Sequence, residues 1–181
     1  MPTALVPIAN GSEEIEAVTI IDVLRRAGVE VTVAGVGARD VIASRGVKLQ
    51  AECLVAECRD ETYDLIALPG GMPGAEHLRD SAELTELLKA QQQSGRVYGA
   101  ICAAPAVVLH AHGLLGTRRA TCHPSMRDRL PQFVDERVVT DGPCITSQGP
   151  GTALEFALAL VATLYDAATA RELGGQMCVD G

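Results

Sequence analysis

Aromatic residues, basic charge and long apolar runs are all scarce in this sequence. Aromatics make up 3% of the 181 residues and tryptophan is absent, which removes the stacking platforms that binders of single-stranded nucleic acid use. The formal net charge is -8, whereas binding to phosphates needs a cationic surface. Nucleic acid is therefore not expected as a main ligand.

Signals for a membrane, a secretory route or a metal are also missing. No apolar run reaches the roughly 18 to 20 residues of a membrane span, and the N-terminal segment has no basic leader. The expectation is a cytoplasmic protein with no membrane partner, whose six cysteines are reduced thiols. Neither a C-x-x-C motif nor zinc spacing occurs, and Gly70–Gly74 departs from the G-x-G-x-x-G pattern of dinucleotide sites. No metal or cofactor is expected.

What the chain does contain is an alternation of apolar runs and amphipathic segments. Hydrophobic residues reach 48%, enough for a folded core. The first unit is a strand, a helix that starts at an N-cap and a second strand: Ala4–Ile8, Ser12–Arg26 and Val29–Val36. Further strands are predicted at 64–68, 96–101, 118–122, 137–140 and 144–147, and helices at 81–93, 103–110 and 153–165. This pattern predicts an α/β fold, a mostly parallel sheet with helices on both faces and ligand-binding loops at the carboxyl ends of strands.

Cys102 stands where a predicted strand meets a predicted helix. Pro105 is tolerated there because it falls in the first helical turn. A thiol at a helix N-terminus meets unpaired N–H groups, which can lower its pKa from about 8.5 into the range of roughly 3.5 to 7.5. One interpretation is a reactive thiolate; the other is a small buried cysteine that fills space beside alanine.

Glu16 shares one helix face with apolar residues, including Ile20 and Leu24. Burial on this face would raise the pKa of its carboxyl above about 4.3 and let a neutral acid donate a hydrogen bond to a sulfur. The alternative is a first-turn acid that faces solvent, as Glu13 and Glu14 are expected to do.

Two loops offer further groups near this thiol. His123 precedes Pro124 and is biased toward extended backbone; it is either a general acid or base, or an ordinary surface histidine. Gly71 lies in a glycine-rich loop, and its N–H could join that of Ala103 in an anion pocket beside the sulfur. The alternative for Gly71 is a plain tight turn.

Together with these residues, four short motifs make the chain resemble the ThiJ/PfpI superfamily over essentially its whole length, within it the branch of the parkinsonism-associated deglycase and the bacterial YajL-type proteins. The motifs are Asn10–Glu16, Arg25–Val29, Leu68–Gly71 and Gly149–Thr152. The resemblance implies a flavodoxin-like three-layer α/β/α sandwich, one class I glutamine amidotransferase-like domain over residues 1–181 and a homodimer. It also implies that Arg26 and Arg45 lie near a pocket close to the dimer interface.

The resemblance further assigns the site. It implies that Cys102 is the nucleophile, that Glu16 is a protonated acid bonded to it, and that His123 is the nearby histidine. The N–H groups of Gly71 and Ala103 would face the sulfur oxygens of an oxidised cysteine.

Departures from the superfamily pattern narrow the expected activity. Peptidase members carry histidine directly after the nucleophile, where this chain has Ala103, and the His-x-Glu partner of amidotransferases is absent. The expectation is a cofactor-independent glyoxalase or deglycase that acts on methylglyoxal, glyoxal and their adducts with amines or thiols, without glutathione. The alternative is a peroxide-sensing redox chaperone in which Cys102 becomes a sulfinate without significant turnover.

Overall fold

The computed structural model describes residues 1–179 and contains nine strands. They are β1 (Thr3–Ile8), β2 (Glu30–Gly35), β3 (Asp40–Ile42), β4 (Lys48–Gln50), β5 (Cys53–Leu54), β6 (Leu65–Leu68), β7 (Val97–Ile101), β8 (Val138–Asp141) and β9 (Cys144–Ser147). Seven of them form one sheet in the order β5-β2-β1-β6-β7-β9-β8, while β3 and β4 form a separate antiparallel hairpin. Every pairing in the main sheet is parallel except that of β8 with β9.

Helices cover both faces of this sheet. They are α1 (Glu14–Arg26), α2 (Gly74–Asp80), α3 (Ala82–Gln93), α4 (Ala153–Leu164) and α5 (Ala167–Gln176). Shorter turns of 3-10 helix occur at Val55–Cys58, Pro124–Arg129 and Pro150–Thr152, and a π-helical segment spans Pro105–His110.

Alternate residues along the central strands contribute their side chains to two separate hydrophobic cores, one on each face of the sheet. Leu5, Ile66 and Tyr98 pack against α2, α3 and the π-helical segment. Their strand neighbours Val6 and Leu65 pack on the other face against α1, α4 and α5, because successive strand side chains point to opposite faces. The predicted flavodoxin-like α/β/α sandwich is therefore confirmed.

The chain reverses direction across the sheet between β1 and β6. It leaves β1 toward β2 on one side, then returns to β6 on the other side. The loops after these two adjacent strands lead to α1 and α2, which lie on opposite faces. A crevice opens at such a point, at the carboxyl ends of the strands, and ligands of doubly wound folds bind there.

Two predicted elements differ from the structure. The segment 118–122 is not a strand, and its one ladder contact is an isolated bridge between Ala120 and Phe133. The reason is that β9 already occupies the place beside β7, so the N–H of Thr121 donates to the Thr146 side chain instead (2.9 Å). The helix predicted at 103–110 begins later, at Pro105, and is wound as a π helix.

Candidate active site

Cys102 occupies a strained turn at the end of β7. Its φ of 64° lies in the left-handed region, which non-glycine residues rarely adopt and which clusters at functional sites. Two main-chain hydrogen bonds hold this turn in place. The Cys102 N–H donates to the carbonyl of Ser147 (3.0 Å), and the Cys102 carbonyl accepts from the N–H of His123 (2.8 Å). The thiol is half-buried.

The glycine-rich loop after β6 lies directly against this turn. A Cβ placed on Gly70 would lie 2.7 Å from the Cβ of Cys102, and one on Gly71 would lie 2.5 Å from the main-chain nitrogen of Glu13. Because neither position has room for a side chain, glycine lets the main chains of three loops meet around Cys102.

Glu16 lies in the first turn of α1 and is fully buried. Its Oε2 accepts a hydrogen bond from the N–H of Gly70 (2.7 Å), whereas Oε1 has no hydrogen-bond partner within residues 1–179. Burial raises the pKa of this carboxyl to about 7, against the opposing effect of the Gly70 hydrogen bond. Of the two interpretations of Glu16 that the sequence leaves open, the structure confirms burial on the apolar helix face.

The expected lowering of the Cys102 pKa is not found. Burial raises the pKa of this thiol to about 12, and the negative charge of Glu16 acts in the same direction. Hydrogen bonds from the N–H groups of Gly71 and Ala103 oppose that rise. Because the charge of Glu16 disfavours the thiolate, protonation of Glu16 favours it.

The N-cap of α1 is Glu13, not Ser12 as the sequence predicts. Glu13 caps α1 by accepting the N–H of Glu16 (2.9 Å), whereas the Ser12 hydroxyl turns back to the N–H of Ala9 (3.0 Å). Glu13 and Glu14 are both buried rather than solvent-facing. Glu14 accepts from the Ser44 hydroxyl and the Arg45 N–H, both at 2.8 Å, which ties the β3–β4 hairpin to the first turn of α1.

Comparison with known proteins identifies the chain's relatives. The model of the DJ-1/PfpI family matches residues 2–163. The chain belongs to the DJ-1/PfpI family. It is 51% identical to protein DJ-1 homolog B of Arabidopsis thaliana over 97% of this chain and 40% of that protein. It is 38% identical to a Caenorhabditis elegans protein named glutathione-independent glyoxalase DJR-1.2, over 93% of this chain and 91% of that one.

Solved structures of the DJ-1/PfpI family agree with this assignment. Oxidised DJ-1 of Toxoplasma gondii superposes with a TM-score of 0.99 at 47% identity, covering 100% of both chains. The chain spans less than half the length of its Arabidopsis relatives, 40% of homolog B and 45% of homolog A.

In this DJ-1/PfpI chain the structure brings four of the five predicted site residues together: Cys102, Glu16, Gly71 and Ala103. The main chain of His123 is hydrogen-bonded to that of Cys102 (2.8 Å). Its ring is exposed, and Nδ1 lies 2.8 Å from the Ser125 hydroxyl.

The two arginines suggested by the family resemblance lie in the last turn of α1 and in the β3–β4 turn. Arg26 pairs with Asp22 (2.7 Å) in the last turn of α1, about 15 Å along the helix from Glu16 at 1.5 Å per residue. The Arg45 side chain is exposed in the β3–β4 turn.

Sequence reasoning missed the residues that hold the loops together. Gly70 and Gly74 approach neighbouring main chains too closely for any side chain, and the Ser147 carbonyl fixes the Cys102 N–H. The sequence feature that indicates this close approach is the high density of glycine in residues 70–74. Within residues 1–179 no group of three or more His, Cys, Asp or Glu side chains could hold a metal, and no helix is long and apolar enough to cross a membrane.

Proposed function

We propose that this protein is a cysteine-dependent glyoxalase or deglycase that converts methylglyoxal, glyoxal and their adducts on amines or thiols without glutathione. The observation that carries the proposal is the buried Glu16 carboxyl, with one oxygen free, beside a half-buried Cys102 in a strained turn. The name of the Caenorhabditis elegans relative supports the same chemistry.

The reaction starts with addition of the Cys102 sulfur to the aldehyde carbon. As the C–S bond forms, the Cys102 thiol gives its proton to the Glu16 carboxylate; the C=O π bond breaks, and the oxygen takes a proton back from Glu16, giving a hemithioacetal. Glu16 is suited to supply this proton because its pKa of about 7 leaves it part-protonated near neutral pH. The N–H groups of Gly71 and Ala103 interact with a charged sulfur at this position.

Proton transfers at the two carbons and their oxygens then convert the hemithioacetal into a thioester. The hemithioacetal carbon loses its C–H proton as the neighbouring carbonyl oxygen gains one, which gives an enediol; the hydroxyl next to the sulfur then loses its proton as the other carbon gains one, which leaves a thioester on Cys102. Water then cleaves the thioester and releases lactate from methylglyoxal or glycolate from glyoxal. One carbon is oxidised as its neighbour is reduced, so no external oxidant is consumed. We assign one of these transfers to His123, whose main chain is bonded to that of Cys102.

The test is lactate formation from methylglyoxal in the absence of glutathione. Wild type should turn over many times, Cys102→Ala should form no lactate, and Glu16→Gln should be nearly inactive. Cys178→Ala, which removes an exposed cysteine outside this site, is the matched control and should keep full activity. Lactate production by Cys102→Ala would overturn the proposal.

A peroxide-sensing role without turnover is the second candidate. The surroundings of the sulfur favour it, because two N–H groups and a carboxyl with a free oxygen can bind the oxygens of a cysteine sulfinate. The related Toxoplasma gondii structure is of an oxidised form. This role predicts oxidation at Cys102 before any other cysteine, followed by a gain in suppression of protein aggregation. Wild type that stops after one turnover of methylglyoxal would favour it.

We also propose a homodimer. Ile15 and Val18 of α1 are 55% and 47% exposed, and Ile42 and Val47 of the hairpin are 58% and 48% exposed. Glu14 bonds the β3–β4 turn to the start of α1, and from this contact we infer that these apolar side chains form one exposed region. Exposed apolar patches of this kind mark interaction surfaces.

A further inference from the structure

A second pair of sulfur atoms lies in contact away from Cys102. Cys53 is in β5 and Cys58 ends the following 3-10 turn, and their Sγ atoms are 3.5 Å apart as free thiols. A disulfide bond has a length of about 2.0 Å. The sulfurs therefore need to approach by only about 1.5 Å to form one.

Hydrogen bonds hold the turn between the two cysteines in place. The Glu57 carboxylate accepts the N–H of Leu54 (2.6 Å) and pairs with the Arg39 guanidinium (3.0 Å). The Cys58 thiol donates to the carbonyl of Leu54 (3.6 Å). These contacts fix the turn that connects the two cysteines and place the Cys58 thiol against the main chain of Leu54, which directly follows Cys53 in the chain.

The pair is open to small neutral reagents. A surface cavity of about 460 Å³ is lined by both cysteines and by three glutamates, Glu30, Glu57 and Glu61. Cys53 is half-buried, whereas Cys58 is buried behind it. The acidic rim repels anionic oxidants such as glutathione disulfide, so an uncharged hydroperoxide is the oxidant that the site admits.

We propose that Cys53 and Cys58 are a reversible dithiol–disulfide site that hydroperoxides oxidise and thiols reduce. The Cys53 thiolate attacks the peroxide O–O bond and becomes a sulfenic acid as the first water leaves. The Cys58 sulfur then attacks the sulfenic sulfur, the S–S bond forms and the second water leaves. In balance, two thiols and one hydrogen peroxide give one disulfide and two waters; the sulfurs are oxidised and the peroxide is reduced.

The rate of this oxidation should depend steeply on pH. Burial raises the pKa of Cys53 to about 12, and Cys58, Glu57 and Glu52 act in the same direction. Since the thiolate is the nucleophile, its fraction and the initial rate should rise about tenfold per pH unit in the neutral to mildly alkaline range.

The experiment uses the full chain with Cys102→Ala, which removes the other candidate thiol. Hydrogen peroxide should lower the intact mass by two hydrogens, peptide mapping should find a Cys53–Cys58 disulfide, and dithiothreitol should restore the thiols. Cys178→Ala in the same background should behave identically. Tyr63 lies beside Cys58 in a chain without tryptophan, so loss of tyrosine emission offers an optical readout that Tyr63→Phe should reduce.

Variants that lack one of the two thiols test whether the disulfide joins Cys53 to Cys58. Cys58→Ala and Cys53→Ser should each abolish the loss of two hydrogens; two variants are used because Cys58 is buried. Three results would overturn the proposal: persistence of that loss in either variant, a disulfide linking two chains, or Cys53 and Cys58 that remain open to alkylation after peroxide treatment.

Discussion

The protonation of Glu16 should be visible in the stability of the protein. Burial raises the pKa of this carboxyl from 4.5 to about 7 in the folded state. Between these values the folded chain keeps a proton that the unfolded chain has lost. The stability that neutral Glu16 contributes is therefore fully present below the unfolded pKa and is lost as pH rises through about 7. At about 1.4 kcal/mol per pKa unit, the loss is about 3 kcal/mol.

The perturbation that isolates this effect is Glu16→Gln, which keeps the shape of the side chain and removes its titration. Urea unfolding of wild type and variant, at one protein concentration, gives the free energy of unfolding of each at several pH values. The difference, wild type minus variant, should fall by about 3 kcal/mol between about pH 4.5 and pH 8. Glu86→Gln, at an exposed position of α3, controls for the substitution itself. A difference that stays flat across this range would refute the reasoning.

Three further predictions concern the loops, the core and the exposed apolar region. Gly71→Ala places a Cβ 2.5 Å from the main-chain nitrogen of Glu13 at a φ of 85°. The substitution should therefore lower the free energy of unfolding by about 1–3 kcal/mol and slow the labelling of Cys102 by iodoacetamide. Unchanged urea unfolding would contradict this prediction. Gln91 donates to two backbone carbonyls from a buried position, so Gln91→Leu should cost about 1–3 kcal/mol per carbonyl in the same assay; an equally stable variant would show that these bonds contribute little. Val18→Asp should shift the protein to monomer in sedimentation velocity, and an unchanged sedimentation coefficient would place the dimer contact elsewhere.

The predictable part of the site was the part encoded by local pattern. The sequence points to Cys102 because it lies between an apolar strand and the helix that Pro105 can begin, and to Glu16 because it interrupts an apolar helix face. Both signals lie within a dozen residues of sequence. The sheet and its two helical layers followed from the same kind of periodicity.

The errors arose where distant segments decide the environment. Glu13 and Glu14 looked like solvent-facing acids, but the β3–β4 hairpin covers the first turn of α1 and bonds Glu14. That hairpin has two strands of three residues each, which are too short to show the alternation of apolar and polar residues that predicts a strand. The pKa of Cys102 differs from the prediction for a related reason, because the effects of burial and of Glu16 outweigh those of the favourable N–H groups.

The left-handed backbone conformation of Cys102 lowers the stability of the fold at the position that carries the thiol. A residue with a Cβ costs about 1–2 kcal/mol more than glycine in this conformation. Cys102→Gly should therefore relax the turn while it removes the sulfur. Optimisation of the folding energy alone would favour glycine at this position, so under the proposed function the chain keeps its sulfur at a cost in stability.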